Sequence, residues 1–338
     1  MSAGGGKLPQ LCDATEVCAK CGAMAAKFKC SRCLMVCYCC KRCQEKHWPV
    51  HKKTCKTPAQ QEAGAGQHLQ NSMGLYNASR RGDLPAVTAL IAEGADVNWA
   101  QPETRGTPLH FASGNGHLSV VNALIAARAV VDRVDAEGDT ALMIAAEKGH
   151  EAVVVALHRV AGASVHHVNN EGRTALHMAA QNGHLGVVRY LLRAAAHPNV
   201  VSTEGVGATP LILASTAGYP AVVQALIEAG ANVNHVRPDG ASSLMMAAQK
   251  GHIEVVRALL AAGANVDHAD SEGATSMMFA AQRGYIEVVR ALLAAGADPR
   301  IVAHIGQTAL LAAKRYNHTA VTALLEARLA ELAAAGSA

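Results

Sequence analysis

Phenylalanine, tryptophan and tyrosine make up only 3% of this 338-residue chain, although half of its residues are hydrophobic. A core so poor in rings must be assembled from Ala, Val and Leu, which suits closely packed helices. No run of ~18 apolar residues occurs, so no membrane-spanning helix is expected. The opening MSAGGGKLPQ lacks the apolar stretch of a secretory signal, so nothing argues for export, and the sequons at Asn77 and Asn317 read as chance. Cysteine is absent after residue 55, and that absence argues against a disulfide framework, which in a small secreted scaffold runs through the whole chain. P-loop, nucleophile-elbow and glycine-rich dinucleotide signatures are missing too.

The ten cysteines are therefore concentrated in one short segment. Eight metal-ligand candidates follow one another there as Cys18-x2-Cys21, Cys30-x2-Cys33, Cys39-x3-Cys43 and His51-x3-Cys55. Four donor pairs are what two tetrahedral zinc ions require, and about forty residues bury too little apolar surface to fold without such a staple. Cys12, Cys37 and Cys40 are left over, and Cys37 or Cys40 lies close enough in sequence to replace Cys39. Thiols held by metal point to a reducing compartment, the cytoplasm or nucleus. Residues 1–60 carry 11 Lys and Arg against 3 Asp and Glu, whereas the remainder carries 19 against 23. A basic module precedes a mildly acidic body.

The stretch YCCKRCQEKHWPVHKKTC gives the segment a family likeness. It resembles the MYND zinc finger, which ends in Tyr-Cys-x3-Cys-Gln, a Trp and His-x3-Cys. The resemblance covers residues 18–55 and favours Cys39 through the Tyr38-Cys39 dipeptide. It implies a cross-brace, with one zinc on Cys18, Cys21, Cys39 and Cys43 and the other on Cys30, Cys33, His51 and Cys55. Full shells of four protein ligands imply structural ions, because a catalytic zinc keeps a position open for water. MYND fingers dock proline-containing peptides, and the matching positions here are Ser31, Gln44 and Trp48. A tryptophan face beside a sheet edge suits an extended proline-rich segment; the same ring could instead fill the small core between the zincs.

Residues 56–70 combine Pro, Gly, Gln and Ala without an apolar period and read as a linker, with room for a helical patch. Beyond them the chain repeats itself. GTPLHFASGNGH, DTALMIAAEKGH, RTALHMAAQNGH, ATPLILASTAGY, ASSLMMAAQKGH, ATSMMFAAQRGY and QTALLAAKRYNH align with their leading Thr or Ser at 107, 140, 174, 209, 242, 275 and 308. A period of about 33 marks a stacked-repeat architecture. In GHIEVVRALLAAGANV, Ile253, Val255, Val256, Leu259 and Leu260 recur at helical spacing, and Gly263 ends the helix. The pattern resembles the ankyrin repeat. With an opening unit from residue 71, it implies a mainly α solenoid of about eight helix-turn-helix units with β-hairpin fingers over 71–335, preceded by a flexible stretch at 1–17, the finger at 18–55 and the linker.

Departures from the repeat carry expectations of their own. Arg128 and Ala195 stand where other units have glycine, so those two units should be weaker. Two extra residues after Asn199 should lengthen one finger. The stripe Phe111, Ile144, Met178, Leu213, Met246, Phe279 and Leu311 is expected to pack between repeats. Histidines 117, 150, 184 and 252 are expected to make structural hydrogen bonds at the Gly-His turn, and His166 and His167 to lie on the surface.

Ankyrin proteins hold partners on the concave side, at finger tips and at the two residues before the Gly-His turn. Those pairs read here as Gly114-Asn115, Glu147-Lys148, Gln181-Asn182, Thr216-Ala217, Gln249-Lys250, Gln282-Arg283 and Lys314-Arg315. Lys148, Lys250, Arg283 and Arg315, with Arg81, then form an interrupted cationic ladder. A solvated edge is the plain reading; the sharper one is an acidic partner segment lying along it. The resulting expectation is a non-enzymatic adaptor, with the zinc finger on one peptide and the solenoid on a second protein. The alternative is a nucleic-acid-associated regulator whose basic finger contacts phosphates, against which stands the lack of a base-reading ββα spacing.

Overall fold

The computed structural model describes residues 28–29, 37–38, 58–203 and 207–336. Two short strands, β1 (Phe28–Lys29) and β2 (Cys37–Tyr38), pair antiparallel with Phe28 opposite Tyr38 and Lys29 opposite Cys37. The described residues after them form helices joined by turns and fingers. The first is α1 (Pro58–Arg81), which runs without a break through most of the stretch expected as a linker. Proline in its first turn and the Ala, Gln and Glu that follow are compatible with helix even without an apolar period.

Helices then come in pairs: α2 (Leu84–Ala92) completes the first, followed by α3 (Pro108–Gly114) with α4 (Leu118–Ala126) and α5 (Ala141–Glu147) with α6 (Glu151–Arg159). Next are α7 (Ala175–Gln181) with α8 (Leu185–Arg193), α9 (Pro210–Ala217) with α10 (Pro220–Glu228), and α11 (Ser243–Lys250) with α12 (Ile253–Ala261). The last are α13 (Ser276–Arg283) with α14 (Ile286–Ala294) and α15 (Ala309–Arg315) with α16 (Thr319–Gly336). From α3 onward first helices stack on first helices, and from α2 onward second helices stack on second, so successive units bury their apolar faces against one another.

Two compact units result, one holding residues up to 74 together with 93–96, the other 75–92 and 97 onward. In the former, Ser72 Oγ donates to the His68 carbonyl at 2.8 Å and accepts from the Asp96 N–H at 3.0 Å. In the latter, the core is a column of small and branched residues. Leu109, Leu142, Leu176, Leu211 and Leu244 from the first helices are buried, as are the valine pairs 120–121, 153–154, 187–188, 222–223, 255–256 and 288–289 of the second. Alanines 145, 179, 247 and 280 are wholly buried where the first helices meet. Each buried Leu or Val contributes roughly 1.5–3 kcal/mol, which is how a chain with so few rings reaches a full core.

Fingers between the pairs are short. Three carry an isolated antiparallel bridge, Val134 with Thr140, Val236 with Ser242 and Ala269 with Thr275. Most close by a backbone bond to the fourth residue on, as Asp135 N–H to Asp139 O and Asp270 N–H to Ala274 O. The finger after Asn199 instead closes from Ser202 to Ala208, two residues longer as expected. Pro85 and Pro220 sit in the first turns of α2 and α10, where a missing N–H costs nothing.

Candidate functional site

The groove between the first-helix row and the fingers is built by a device that recurs, with variations, from unit to unit. The hydroxyl of a Thr or Ser caps the first helix: Thr140, Thr209, Ser242 and Thr308 accept from the N–H three residues on. Nine residues after the cap the chain must turn sharply, and a left-handed residue makes the turn. Glycine fills that position in seven units, and Asn317, with φ of 59°, fills it in the last. The following histidine reaches back one unit. His117, His150, His184, His252 and His318 donate through Nε2 to the carbonyls of Arg80, Gly114, Glu147, Thr216 and Gln282 at 2.8–3.2 Å. These turn histidines are inter-repeat staples.

Asn317 and His318 also correct the reading of the last unit. Because His318 occupies the staple position and the Leu311 N–H bonds the Thr308 cap, Arg315 aligns with Gln282 and Tyr316 with Arg283, one position off the alignment read from the sequence. The stripe likewise continues through Ala312, which is fully buried, whereas Leu311 is 52% exposed.

The stripe meets neighbouring repeats, Phe111 against Tyr76 of the opening unit and Ile144 beside Gly114 of the second, but it is only partly buried. Of its seven members only Met178 is buried; Phe111, Ile144, Leu213, Met246 and Phe279 are half-exposed. The buried positions are those one and two residues earlier, such as Leu244 and Met245. The expected core stripe is therefore the apolar floor of the groove. Phe111, Ile144, His110, Asp135 and Lys148 line a cavity of about 230 Å³ between the second and third units, with the Tyr76 ring edge-on to Phe111 at 4.7 Å and to Trp99 at 5.7 Å.

Cations border this floor on the helix side. Lys148, Lys250, Arg283 and Arg315 are all exposed, as is Arg81. Lys148 is already paired with Glu147 at 2.7 Å, and the Arg315 guanidinium lies 6.0 Å from the Tyr316 ring centroid. Lys314, paired with Glu326 at 2.7 Å, is engaged within the last unit. Among the described residues Lys250, Arg283, Arg315 and Arg81 have no carboxylate partner, so of the expected row only Lys148 is already paired.

Two histidines on the first helices have a different task. Thr107 N–H donates to His110 Nδ1 at 3.1 Å, and Thr174 N–H to His177 Nδ1 at 3.1 Å. Their Nε2 atoms face the carbonyls of Asp139 and Ala208 at 3.2 and 3.3 Å. A carbonyl only accepts, so each ring is the neutral Nε2–H tautomer. Burial lowers the pKa of both, that of His177 to about 4. Burial raises the Asp139 carboxyl to about 6, opposed by the Asn169 amide donating to it at 2.8 Å, and raises Asp135 as well.

The fingers hold features that sequence reading passed over. His167, His235 and His268 donate to the carbonyls of Gly138, Gly207 and Gly240 at 3.0, 3.4 and 2.8 Å. His167 is thus a half-buried finger staple rather than a free surface residue, while His166 is exposed as expected. Asn98, Asp132, Asn199, Asn234 and Asp267 each accept, through Oδ1, the N–H of a residue in the next unit. The recurrence of Asx and His at one repeat position was the available signal. Arg128 and Ala195 hold left-handed backbones, φ 63° each, where other units use glycine.

The proposed zinc ligands Cys18, Cys21, Cys30, Cys33, Cys39, Cys43, His51 and Cys55, and the peptide-contact residues Ser31, Gln44 and Trp48, lie outside the described residues, as do Cys12 and Cys40. Cys37 lies in β2, whose partner strand ends one residue before Cys30 in the sequence. Seven thiols and one imidazole are donors suited to zinc. Among the remaining described residues no three of His, Cys, Asp or Glu are grouped to hold a metal ion, and no helix is long and apolar enough to cross a membrane.

Comparison with known proteins agrees with this geometry. The family model for ankyrin repeats in three copies matches residues 75–165, 151–237 and 211–303, and that of the MYND finger matches residues 18–55. The crystal structure of the human ASB11 ankyrin repeat domain is similar, with a TM-score of 0.59 and 30% identity, covering 67% of this chain and 98% of that one.

Proposed function

This chain belongs to the ankyrin-repeat family and carries a MYND finger, both of them protein-interaction modules, and from that we propose that it is a non-enzymatic adaptor that joins two protein ligands. The observation that carries the reading is the half-exposed apolar floor bordered by Lys250, Arg283 and Arg315, a surface suited to a partner segment with apolar and acidic side chains. The finger, a zinc-binding domain, would take a proline-containing peptide against Ser31, Gln44 and Trp48. Its two zinc ions would be structural, one on Cys18, Cys21, Cys39 and Cys43 and one on Cys30, Cys33, His51 and Cys55. The ions hold the finger's shape; the protein groups bind the peptide. Joining two modest binders raises the effective concentration for a client that carries both epitopes. Thiol-rich metal sites suit the cytoplasm or nucleus.

Affinity purification with mass spectrometry from wild type, Trp48→Ala and a Lys250→Glu/Arg283→Glu double variant tests the reading. Each variant should lose its own subset of partners. Identical recoveries from all three would overturn the assigned surfaces. Retention on nucleic acid that falls steeply with added salt and is indifferent to Trp48→Ala would instead favour a phosphate-binding role for the finger.

A further inference from the structure

The groove has a rim of opposite charge that the cationic row does not use. Between the sixth and seventh units, Asp239, Asp270 and Glu272 on the fingers line a cavity of about 420 Å³, floored by Met245, Met246 and Phe279. Arg237 in the same wall is already engaged: Nη2 donates to Asp239 Oδ2 at 2.8 Å, and Nη1 lies 3.7 Å from Met246 Sδ. Asp239 Oδ1 accepts from the Ala241 N–H at 3.0 Å. Asp270 Oδ1 accepts from the N–H groups of Glu272 and Ala274 at 2.9 and 2.8 Å. The exposed Glu272 carboxylate has no partner among the described residues. Three carboxylates against one guanidinium leave the wall net negative.

Phe279 and Glu272 also border a second cavity of about 190 Å³, completed by Met278, Gln282, Ala303 and Ile305. Ile305, at the tip of the next finger, is 75% exposed. An aromatic face beside an unpaired carboxylate is a receptor for a cation on an aliphatic stem: the ring attracts the charge, the thioether and ring cover the stem, and the carboxylate takes the head. The three carboxylates do not converge as the ligands of a metal ion would, which favours an organic cation.

We propose that this double cavity receives a partner segment whose Lys or Arg side chain lies along Phe279 and Met246 with its head at Glu272, and whose neighbouring apolar side chain enters the smaller cavity beside Ile305. The proposal rests on the adaptor reading and deepens it. Lys250 and Arg283 follow Gln249 and Gln282 of the two cavity walls, so the bound segment is polarised, acidic toward the helix ends and basic toward the fingers. A segment docked the other way round would bring like charges together on both rims.

The test pans the full-length, zinc-loaded chain against a phage library of random 16-residue peptides. Selected peptides are measured on wild type, Trp48→Ala, Glu272→Lys, Phe279→Ala and the Lys250→Glu/Arg283→Glu variant, with circular dichroism to verify folding. Glu272 is exposed, so its substitution should leave the fold intact. Peptides that survive Trp48→Ala should share a Lys or Arg next to an apolar residue and bind Glu272→Lys and Phe279→Ala at least tenfold more weakly. Survivors without an enriched basic residue, or indifferent to Glu272→Lys, overturn the proposal. If those survivors are acidic and are lost only in Lys250→Glu/Arg283→Glu, the cationic-row reading stands and this one falls. If nothing survives Trp48→Ala, both fall.

Discussion

Arg128 and Ala195 turn the backbone with φ of 63° where Gly94, Gly162, Gly230, Gly263 and Gly296 turn it elsewhere. A side chain in that conformation costs roughly 1 kcal/mol, part of which glycine returns through its freer unfolded state. Ala195→Gly and Arg128→Gly should each raise the urea midpoint, by up to ~1 kcal/mol in stability, whereas Gly263→Ala should lower it. Equal midpoints for Ala195→Gly and wild type would show that the backbone there relaxes without strain. His177 is a residue-scale switch of another kind. Its pKa falls from 6.5 to about 4 on folding because burial disfavours the charged ring. The unfolded chain therefore binds the proton first; the stability is fully present above about 6.5 and is lost as pH falls through about 4, an effect of ~3 kcal/mol. Asp139, raised to about 6, acts in the opposite sense: its contribution is present below the ordinary carboxylate pKa and is lost as pH rises through about 6. His177→Gln should flatten the loss of melting temperature between pH 6.5 and 4, and an unchanged slope would contradict the buried neutral ring.

At the scale of the element, five repeat junctions are bonded at the turn by a histidine and five at the second-helix exit by an Asn or Asp. Asn234 serves both ends of one exit bond, accepting from Asn265 N–H at 2.8 Å and donating to the Gly263 carbonyl at 3.2 Å. His166 stands at the equivalent position of its own unit, with its ring 6.4 Å from that of His197. Asn234→Ala should destabilise the junction it serves by about 1–2 kcal/mol. His166→Asn should add the missing bond and slow hydrogen exchange in α7 and α8; exchange no slower than wild type would refute the ladder account. Repeat length, unit number, caps and the longer finger were legible in the sequence because they depend on local chemistry recurring at a fixed period. The groove floor was not. A seven-residue first helix such as ALMIAAE carries three large apolar residues in a row, and nothing within two turns tells whether Met143 or Ile144 is the more deeply buried. The structure assigns Met143 to the core and Ile144 to the groove. The last unit failed for a related reason: Asn317 replaces the glycine that anchors the alignment, so Lys314 was read one position too far along. The acidic rim escaped notice because Asp239, Asp270 and Glu272 look like ordinary turn residues until Phe279 is seen beside them.

On the scale of the whole molecule, two kinds of stability are joined in one chain. The repeats are held by buried Val, Leu and Ala and by hydrogen bonds from unit to unit, none of which involves a metal. The finger has about forty residues, and for a segment that small metal binding is folding. Chelation should therefore act on one module and spare the other. Adding a high-affinity zinc chelator under reducing conditions should open the chain to protease between residues 18 and 55 while the melting transition of the repeats and nearly all of the far-ultraviolet helical signal persist. Zinc released on thiol modification should amount to two ions per chain, falling to one or fewer in Cys18→Ser and in Cys30→Ser, one ligand from each proposed set. A single ion in wild type would overturn the cross-brace assignment. Collapse of the repeat transition on chelation would overturn the modular picture, because it would mean that the solenoid depends on the finger for its fold.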